Sequence, residues 1–407
     1  MADHHLLGPD FPKSEIDRRV KLIQAGLQER GLTATLIVDH VNITYVTGYR
    51  TEWWKNPSRR RACWLPATGD PLMITVGGEA RAVAALAYCD VIDAGGPSAT
   101  ATIVNGQGVI NFETELAAAV VAAGHDLGVH GAERIGLPMG SCSRMEVPLS
   151  VLNTVQASLA SKQWEDVWAV FSEARAVKSD FELAYLRQAV HTLDDAFAEI
   201  YRELEPGMNH LDLARVLRAK ILLAGAENPG FTEAATDIRD LYEDSPDHDR
   251  VSRGLAEGSI AFLDGGGIVR GYWSDYDRLF VLGKPTDDQR RAYEAVARAH
   301  FAALDAIRPG VTASEVTRVI LDELASEGYS TAPVGRMGHG NGLEMPEPPF
   351  LHVDDQTVLR EGMVICVEPN TFVPGIGSLV LEDQIVVSAT GAEHLSRAPT
   401  TPELMTL

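Results

Sequence analysis

Apolar residues recur at helical spacing in residues 15–32, where Ile16, Val20, Leu22, Ile23, Leu27 and Leu32 outline one face of an amphipathic helix. The period then shortens. Residues 34–38 form a β-rich run, residues 42–49 (Asn-Ile-Thr-Tyr-Val-Thr-Gly-Tyr) read as a further strand, and residues 62–65 and 71–76 add two more. Alanine-rich helices are predicted near residues 81–87 and 114–123, so strands and helices alternate as in an α/β domain that ends near residue 160. A connecting helix at residues 164–176 leads to Ser179 and Glu182, whose spacing suits a capping box and predicts a helix to about residue 204. The domain boundary falls near residue 175, which leaves an accessory domain at 1–175 and a second domain at 176–407.

The second domain contains an internal repeat. Pro206-Gly207 followed by His210, Asp212, Leu213 and Val216 lines up with Pro309-Gly310 followed by Ala313, Glu315, Val316 and Val319. In each copy a Pro-Gly turn feeds an amphipathic helix, and a β segment bearing acidic residues follows. The offset carries Asp264 close to Glu368 and Asp275 close to Glu382, so a pseudo-twofold would gather four carboxylates around one centre. These acids and His339 are embedded in apolar, strand-like sequence, where burial is costly unless a cation holds them. Four oxygen donors and one imidazole suit one or two divalent ions rather than a thiolate-type structural zinc.

Composition narrows the class. The chain has 407 residues, 45% hydrophobic and 23% charged, as expected of a globular protein of two domains. Its formal charge of −22 argues against nucleic acid or an anionic membrane surface as partner. Cys63, Cys89, Cys142 and Cys366 show no paired spacing and fit reduced thiols. The N-terminus lacks a basic segment followed by an apolar run, and no stretch approaches the roughly 20 apolar residues of a membrane span. A cytoplasmic enzyme is expected. Gly265, Gly266 and Gly267 are read as hairpin glycines, because no Gly-Lys-Ser/Thr follows to make a phosphate loop.

Five motifs carry a resemblance to the pita-bread family of methionine aminopeptidase, aminopeptidase P, prolidase and creatinase. They are Asp264-Gly265-Gly266, then Gly271-Tyr272-Trp273-Ser274-Asp275-Tyr276-Asp277-Arg278, then Gly338-His339-Gly340-Asn341-Gly342-Leu343, then Gly362-Met363-Val364 with Glu368-Pro369, and finally Glu382-Asp383. The first half, around residues 42–48, resembles the accessory domain of creatinase and prolidase. The resemblance implies an α/β creatinase-like N-terminal domain followed by an α+β pita-bread catalytic domain with an internal pseudo-twofold repeat. It also implies that Asp264, Asp275, His339, Glu368 and Glu382 bind a dinuclear centre. Asp275 and Glu382 would bridge the ions, which would activate a shared water as hydroxide toward an amide carbonyl. Glu368 and His339 are then the catalytic expectations, with Glu368 as general base. His248, in Ser245-Pro246-Asp247-His248, is expected to stabilise the oxyanion. Manganese is the expected ion, with cobalt, zinc and iron as alternatives.

Other positions depart from the family pattern. Prolidase-like sequences follow Gly-Leu-Glu with a second histidine, where this chain has Pro346, and place arginine two residues before the last glutamate, where it has Val380. Proline cannot donate a hydrogen bond. Asp277 replaces the usual threonine and is expected to pair with Arg278 or support a ligand. For substrate binding the expected residues are Glu347 and, in the aromatic loop Tyr49-Arg50-Thr51-Glu52-Trp53-Trp54, Arg50, Trp53 and Trp54. In creatinase and prolidase relatives the accessory domain reaches the active site of a dimer partner, so these three are expected to line the partner's pocket; a packed aromatic loop is the alternative.

The leading expectation is a homodimeric, dinuclear metal-dependent hydrolase of the Xaa-Pro dipeptidase or aminopeptidase P type, acting on a short peptide. The alternative keeps fold and metals but acts as a creatinase-like hydrolase or lyase on a small non-peptide metabolite, a choice that Pro346 and Val380 favour. A non-enzymatic binding module on a retired fold is the third reading, and the complete ligand set speaks against it.

Overall fold

The computed structural model describes residues 9–407 except 57–58, 96–100, 105–106, 111–112, 162, 240, 242–253 and 331–334. The chain divides into two compact units, Met1–Arg175 and Ala176–Leu407.

The N-terminal unit opens with α1 (Lys13–Glu29), which buries Ile16, Val20, Ile23 and Leu27 as its period requires. There follow β1 (Ala34–Ile37), α2 (His40–Thr47), β2 (Ala62–Pro66), β3 (Leu72–Thr75), α3 (Ala80–Leu86) and β4 (Asp90–Asp93). A small pair, β5 (Ala101–Val104) and β6 (Gln107–Ile110), precedes α4 (Glu113–Asp126), β7 (Arg134–Leu137), α5 (Leu149–Leu159), β8 (Gln163–Asp166) and α6 (Trp168–Ala176). The main sheet has the order β4-β3-β2-β1-β7-β8. Its core joins Leu36, Trp64, Ile74 and Ile135 to Leu116, Val120 and Leu159 of the covering helices.

Two local expectations are corrected here. Residues 42–47 are helical: Asp39 Oδ1 accepts from Asn42 N at 2.7 Å as N-cap, and Gly48, at φ 75°, closes the helix in a left-handed C-cap. The caps at both ends outweigh the β propensity of Ile43, Thr44, Tyr45 and Val46. Residues 164–176 are a strand followed by a helix. β8 runs parallel to β7 with Trp164 opposite Ile135, and Asp166 Oδ1 accepts from Trp168 N at 2.9 Å to start α6.

The C-terminal unit begins with α7 (Asp180–Ile200), whose capping box is formed by Ser179 and Glu182, and α8 (His210–Leu223), capped by Asn209 and Asp212. Next come β9 (Thr232–Ala235), β10 (Ile260–Gly265), the short hairpin β11 (Ile268–Val269) and β12 (Tyr272–Trp273), and β13 (Tyr276–Val281). The second copy repeats the arrangement. α9 (Asp287–Ala306) is capped by Thr286 and Gln289, and α10 (Ala313–Ser326) by Thr312 and Glu315. β14 (Gly338–Gly340), β15 (Glu347–Phe350), β16 (Val364–Val367), β17 (Asn370–Val373), β18 (Gly377–Val380), β19 (Asp383–Ser388), β20 (Gly391–His394) and β21 (Met405–Thr406) complete the chain. One sheet runs β21-β13-β10-β9 and the other β15-β14-β16-β19-β20. Phe262, Val281, Val296, Ile365, Val367 and Ile385 share the core of this unit. The antiparallel pair β10/β13 thus has its counterpart in β16/β19, and each pair presents two acids at one end.

Candidate metal centre

Asp264 lies near the end of β10 and Asp275 directly precedes β13, while Glu368 directly follows β16 and Glu382 directly precedes β19. Strand ends are where side chains of two hairpins converge, and the repeat brings both hairpins to one place. His339 enters from β14, paired with Cys366 of β16. Its Nε2 is 3.4 Å from Asp275 Oδ2, 3.8 Å from Glu382 Oε1 and 4.0 Å from Glu368 Oε2. Gly338, at φ 146°, permits this approach: a Cβ there would lie 2.2 Å from the Cys366 carbonyl oxygen.

Backbone and side-chain bonds hold the acids from behind. Gln384 Oε1 accepts from Asp275 N at 3.0 Å, and Asp277 Oδ1 accepts from Glu382 N at 3.1 Å. Arg278 donates through Nη1 to the Glu382 carbonyl at 2.9 Å and through Nη2 to Asp383 Oδ1 at 2.9 Å. Asp383 also receives the ring of His300, at 3.1 Å. Burial alone would push the Asp383 carboxyl up, yet Arg278 and His300 hold it well below the usual carboxylate range. The expected pairing of Asp277 with Arg278 takes a different form, since the guanidinium bonds the Asp277 carbonyl and the carboxylate serves Glu382.

The five expected ligands show the opposite electrostatics. Burial first, then neighbouring carboxylates, raise Asp264, Asp275 and Glu382 well above their ordinary values. Glu368 is pushed up to about 7, by burial first and with Glu233 adding to it, while Arg336 works against the rise. His339 is lowered to about 4 by burial and by Arg336, so it is neutral near pH 7. Its Nδ1 faces the Gly340 carbonyl at 3.0 Å and carries the proton there, which leaves the Nε2 lone pair aimed at three carboxylates. Asp264 Oδ1, Glu368 Oε2 and Glu382 Oε1 are buried without a hydrogen-bond partner. Lone pairs facing lone pairs in a buried site lack the donor that would stabilise them, and a cation supplies what is missing. The donor set therefore fits divalent metal.

Sequence reading missed several neighbours. Cys366 Sγ lies with the ligand atoms of Asp275, His339 and Glu382, all within 4.8 Å of one another. Burial keeps it a thiol, and Sγ donates to the Asp275 carbonyl at 3.6 Å. Its alternation with Glu368, two residues on in one strand direction, was the available signal. Glu233 stands opposite Asp264 in the β9–β10 register, and Arg336 reaches Glu368; neither position carried a motif.

The substrate-binding expectations fall in both units. Glu347 forms a buried ion pair with Lys178 at 2.8 Å. Arg50 donates to Asp10 Oδ2 at 3.1 Å, Trp53 is half-exposed beneath Arg59, and Trp54 packs under Arg61 and against Tyr49; all three belong to the N-terminal unit. His248 lies outside the described residues. Val380 is buried in the apolar core of the catalytic unit.

Residues 184–389 match the model of metallopeptidase family M24, and residues 19–177 match the creatinase/prolidase N-terminal domain. The chain belongs to metallopeptidase family M24. It is 30% identical to an Xaa-Pro dipeptidase of Pyrococcus horikoshii over 62% of this chain and 71% of that one. With a probable dipeptidase PepE of Mycobacterium tuberculosis it shares 29% identity over 94% of both chains. The crystal structure of dipeptidase PepE from Mycobacterium ulcerans superposes with a TM-score of 0.78 at 26% identity, covering 97% of this chain and 99% of that chain. The fold is thus a creatinase-type N-terminal domain followed by a pita-bread catalytic domain. The M24 family implies divalent metal, and the chain is a hydrolase of the Xaa-Pro peptidase-like type. Among the described residues, no helix is long and apolar enough to cross a membrane.

Proposed function

We propose that this M24 protein is a dinuclear Xaa-Pro peptidase that cleaves the bond before proline in short peptides. The observation that carries the reading is the convergence of Asp264, Asp275, His339, Glu368 and Glu382 with unpaired oxygens and a neutral imidazole. These residues would hold two divalent ions, manganese foremost, which lower the pKa of a shared water and polarise the amide carbonyl. Glu368 takes up the proton released during attack, through the Oε2 that has no hydrogen-bond partner. His339 is kept in one tautomer by the Gly340 carbonyl. Gln384 and Asp277 fix the backbone of Asp275 and Glu382. His248 remains our oxyanion-stabilising assignment, and Trp53, exposed on its loop, our substrate-reading one. We further propose a homodimer in a reducing, cytoplasmic compartment, in keeping with the four free cysteines.

Hydrolysis of Xaa-Pro dipeptides and Xaa-Pro-Xaa tripeptides by manganese-loaded protein, with a chelated control, tests the reading. Chelator-sensitive cleavage is expected. A small non-peptide substrate is the second reading, favoured by Pro346 and by the apolar burial of Val380. Bound metal without cleavage of any of these peptides would move the assignment there.

A further inference from the structure

A cavity of about 910 Å³, open to solvent, is lined by Arg336, Phe350, His352 and Asp355 among others. Arg336 connects it to the metal centre. Its Nε lies 3.7 Å from Glu368 Oε2, beyond hydrogen-bond reach, and is buried without an acceptor, while 34% of the side chain remains exposed. A guanidinium offers five N–H donors in a fixed plane, so one held this loosely beside a cavity has capacity to spare.

Without metal, Arg336 acts as counter-charge to Asp264, Asp275 and Glu368. Loading changes its situation. Four ligand carboxylates and two divalent cations would cancel, so the guanidinium would no longer be held as the counter-charge of those four acids. The acids of the cavity do not take it up. Asp355 is engaged by Phe350 N at 2.8 Å and Thr357 N at 2.9 Å, and Asp354 is 88% exposed to solvent. His352 accepts from Asp354 N through Nδ1 at 3.2 Å, which leaves Nε2 as a second donor. Phe350 supplies an apolar wall.

We infer that Arg336 is the specificity residue that captures the terminal carboxylate of the substrate, and that dipeptides with a free C-terminus are therefore the preferred class. The inference rests on the Xaa-Pro reading and deepens it. In a dipeptide the carboxylate carbon lies within about 4 Å of the scissile carbonyl carbon. A group that binds it must stand beside the residue that accepts the proton, as Arg336 stands beside Glu368. A longer peptide carries an uncharged amide at that point. The planar fork of arginine pairs with a carboxylate through two parallel bonds.

The test compares an alanyl-proline dipeptide with its C-terminal amide, using manganese-loaded wild type, Arg336→Gln and Arg336→Lys, with bound metal quantified for each. The wild type should favour the acid. Arg336→Gln should raise KM for the acid roughly 10- to 100-fold more than it changes KM for the amide, and should retain its metal. Arg336→Lys should fall between, keeping charge without the fork. An acid-to-amide ratio in Arg336→Gln equal to that of wild type overturns the inference. So does loss of metal with both substrates slowed alike, which marks a mere counter-charge. Should Arg336→Gln fail to fold, the same ratio in Arg336→Lys decides. If the wild type cleaves neither substrate, the peptidase reading falls by itself, and calorimetric titration with L-proline and L-prolinamide decides the anion site. Proline-selective binding that either variant weakens supports it; equal or absent binding overturns it.

Discussion

The metal-free protein should become less stable as pH rises, and metal should reverse the slope. Glu368 carries the effect most legibly. Its carboxyl is raised from 4.5 to about 7 in the folded protein, so the folded state holds the proton more tightly than the unfolded chain. The stabilisation is complete below about pH 4.5 and is lost as pH rises through 7. At about 1.4 kcal/mol per unit, this amounts to ~3 kcal/mol. Asp264, Asp275 and Glu382 are raised as well and act in the same direction. For a catalytic unit of this size ~3 kcal/mol corresponds to roughly 10 °C in Tm. Scanning calorimetry on chelator-stripped protein at pH 5 and pH 8 measures it. His339 and His394, both lowered by burial, act with the opposite sign in this interval, so Glu368→Gln is run in parallel to subtract that background. With manganese bound, the deprotonated carboxylates are the ligands and stability should rise over the same interval. A metal-free wild type whose pH dependence matches that of Glu368→Gln would refute the argument, because Glu368 would then be solvated like any surface carboxylate.

Other substitutions separate support from chemistry. Asp383→Ala strands buried Arg278 and His300 and should lower stability by about 3–5 kcal/mol in urea titration, although it removes no expected ligand. Gly338→Ala forces a Cβ to within 2.2 Å of the Cys366 carbonyl at a φ of 146°, so bound metal measured after gel filtration should fall sharply even if the protein remains folded. Trp54→Ala should destabilise the N-terminal unit by about 2–4 kcal/mol in thermal unfolding, since Trp54 packs on Arg61 and Tyr49. Trp53→Ala should change stability by no more than about 0.5 kcal/mol, because the side chain is half-exposed. A substrate-reading Trp53 would nevertheless shift KM.

Local chemistry made much of this protein legible in one dimension. Ser179 and Glu182 marked the start of α7, and the repeated Pro-Gly turns marked two copies of one unit, because capping and turn geometry depend on residues close in sequence. The five expected ligands stood out because acids and a histidine in apolar strands demand a reason. Residues 42–49 were misread for a related cause: β-branched side chains pointed to a strand, and the capping by Asp39 and Gly48 decided otherwise. Only the folded chain shows that His339 Nε2 faces Asp275, Glu368 and Glu382. It likewise brings Glu233 opposite Asp264, and commits Glu347 to Lys178. Arg336 gave no sequence signal, being a single arginine before a Gly-His-Gly motif, and its meaning comes from Glu368 and a cavity lined by residues 14 to 21 positions further on. Burial, register across strands and long-range electrostatics are properties of the assembled sheets, so the identity of the ligands could be read along the chain while their protonation, their neighbours and the shape of the site beside them could not.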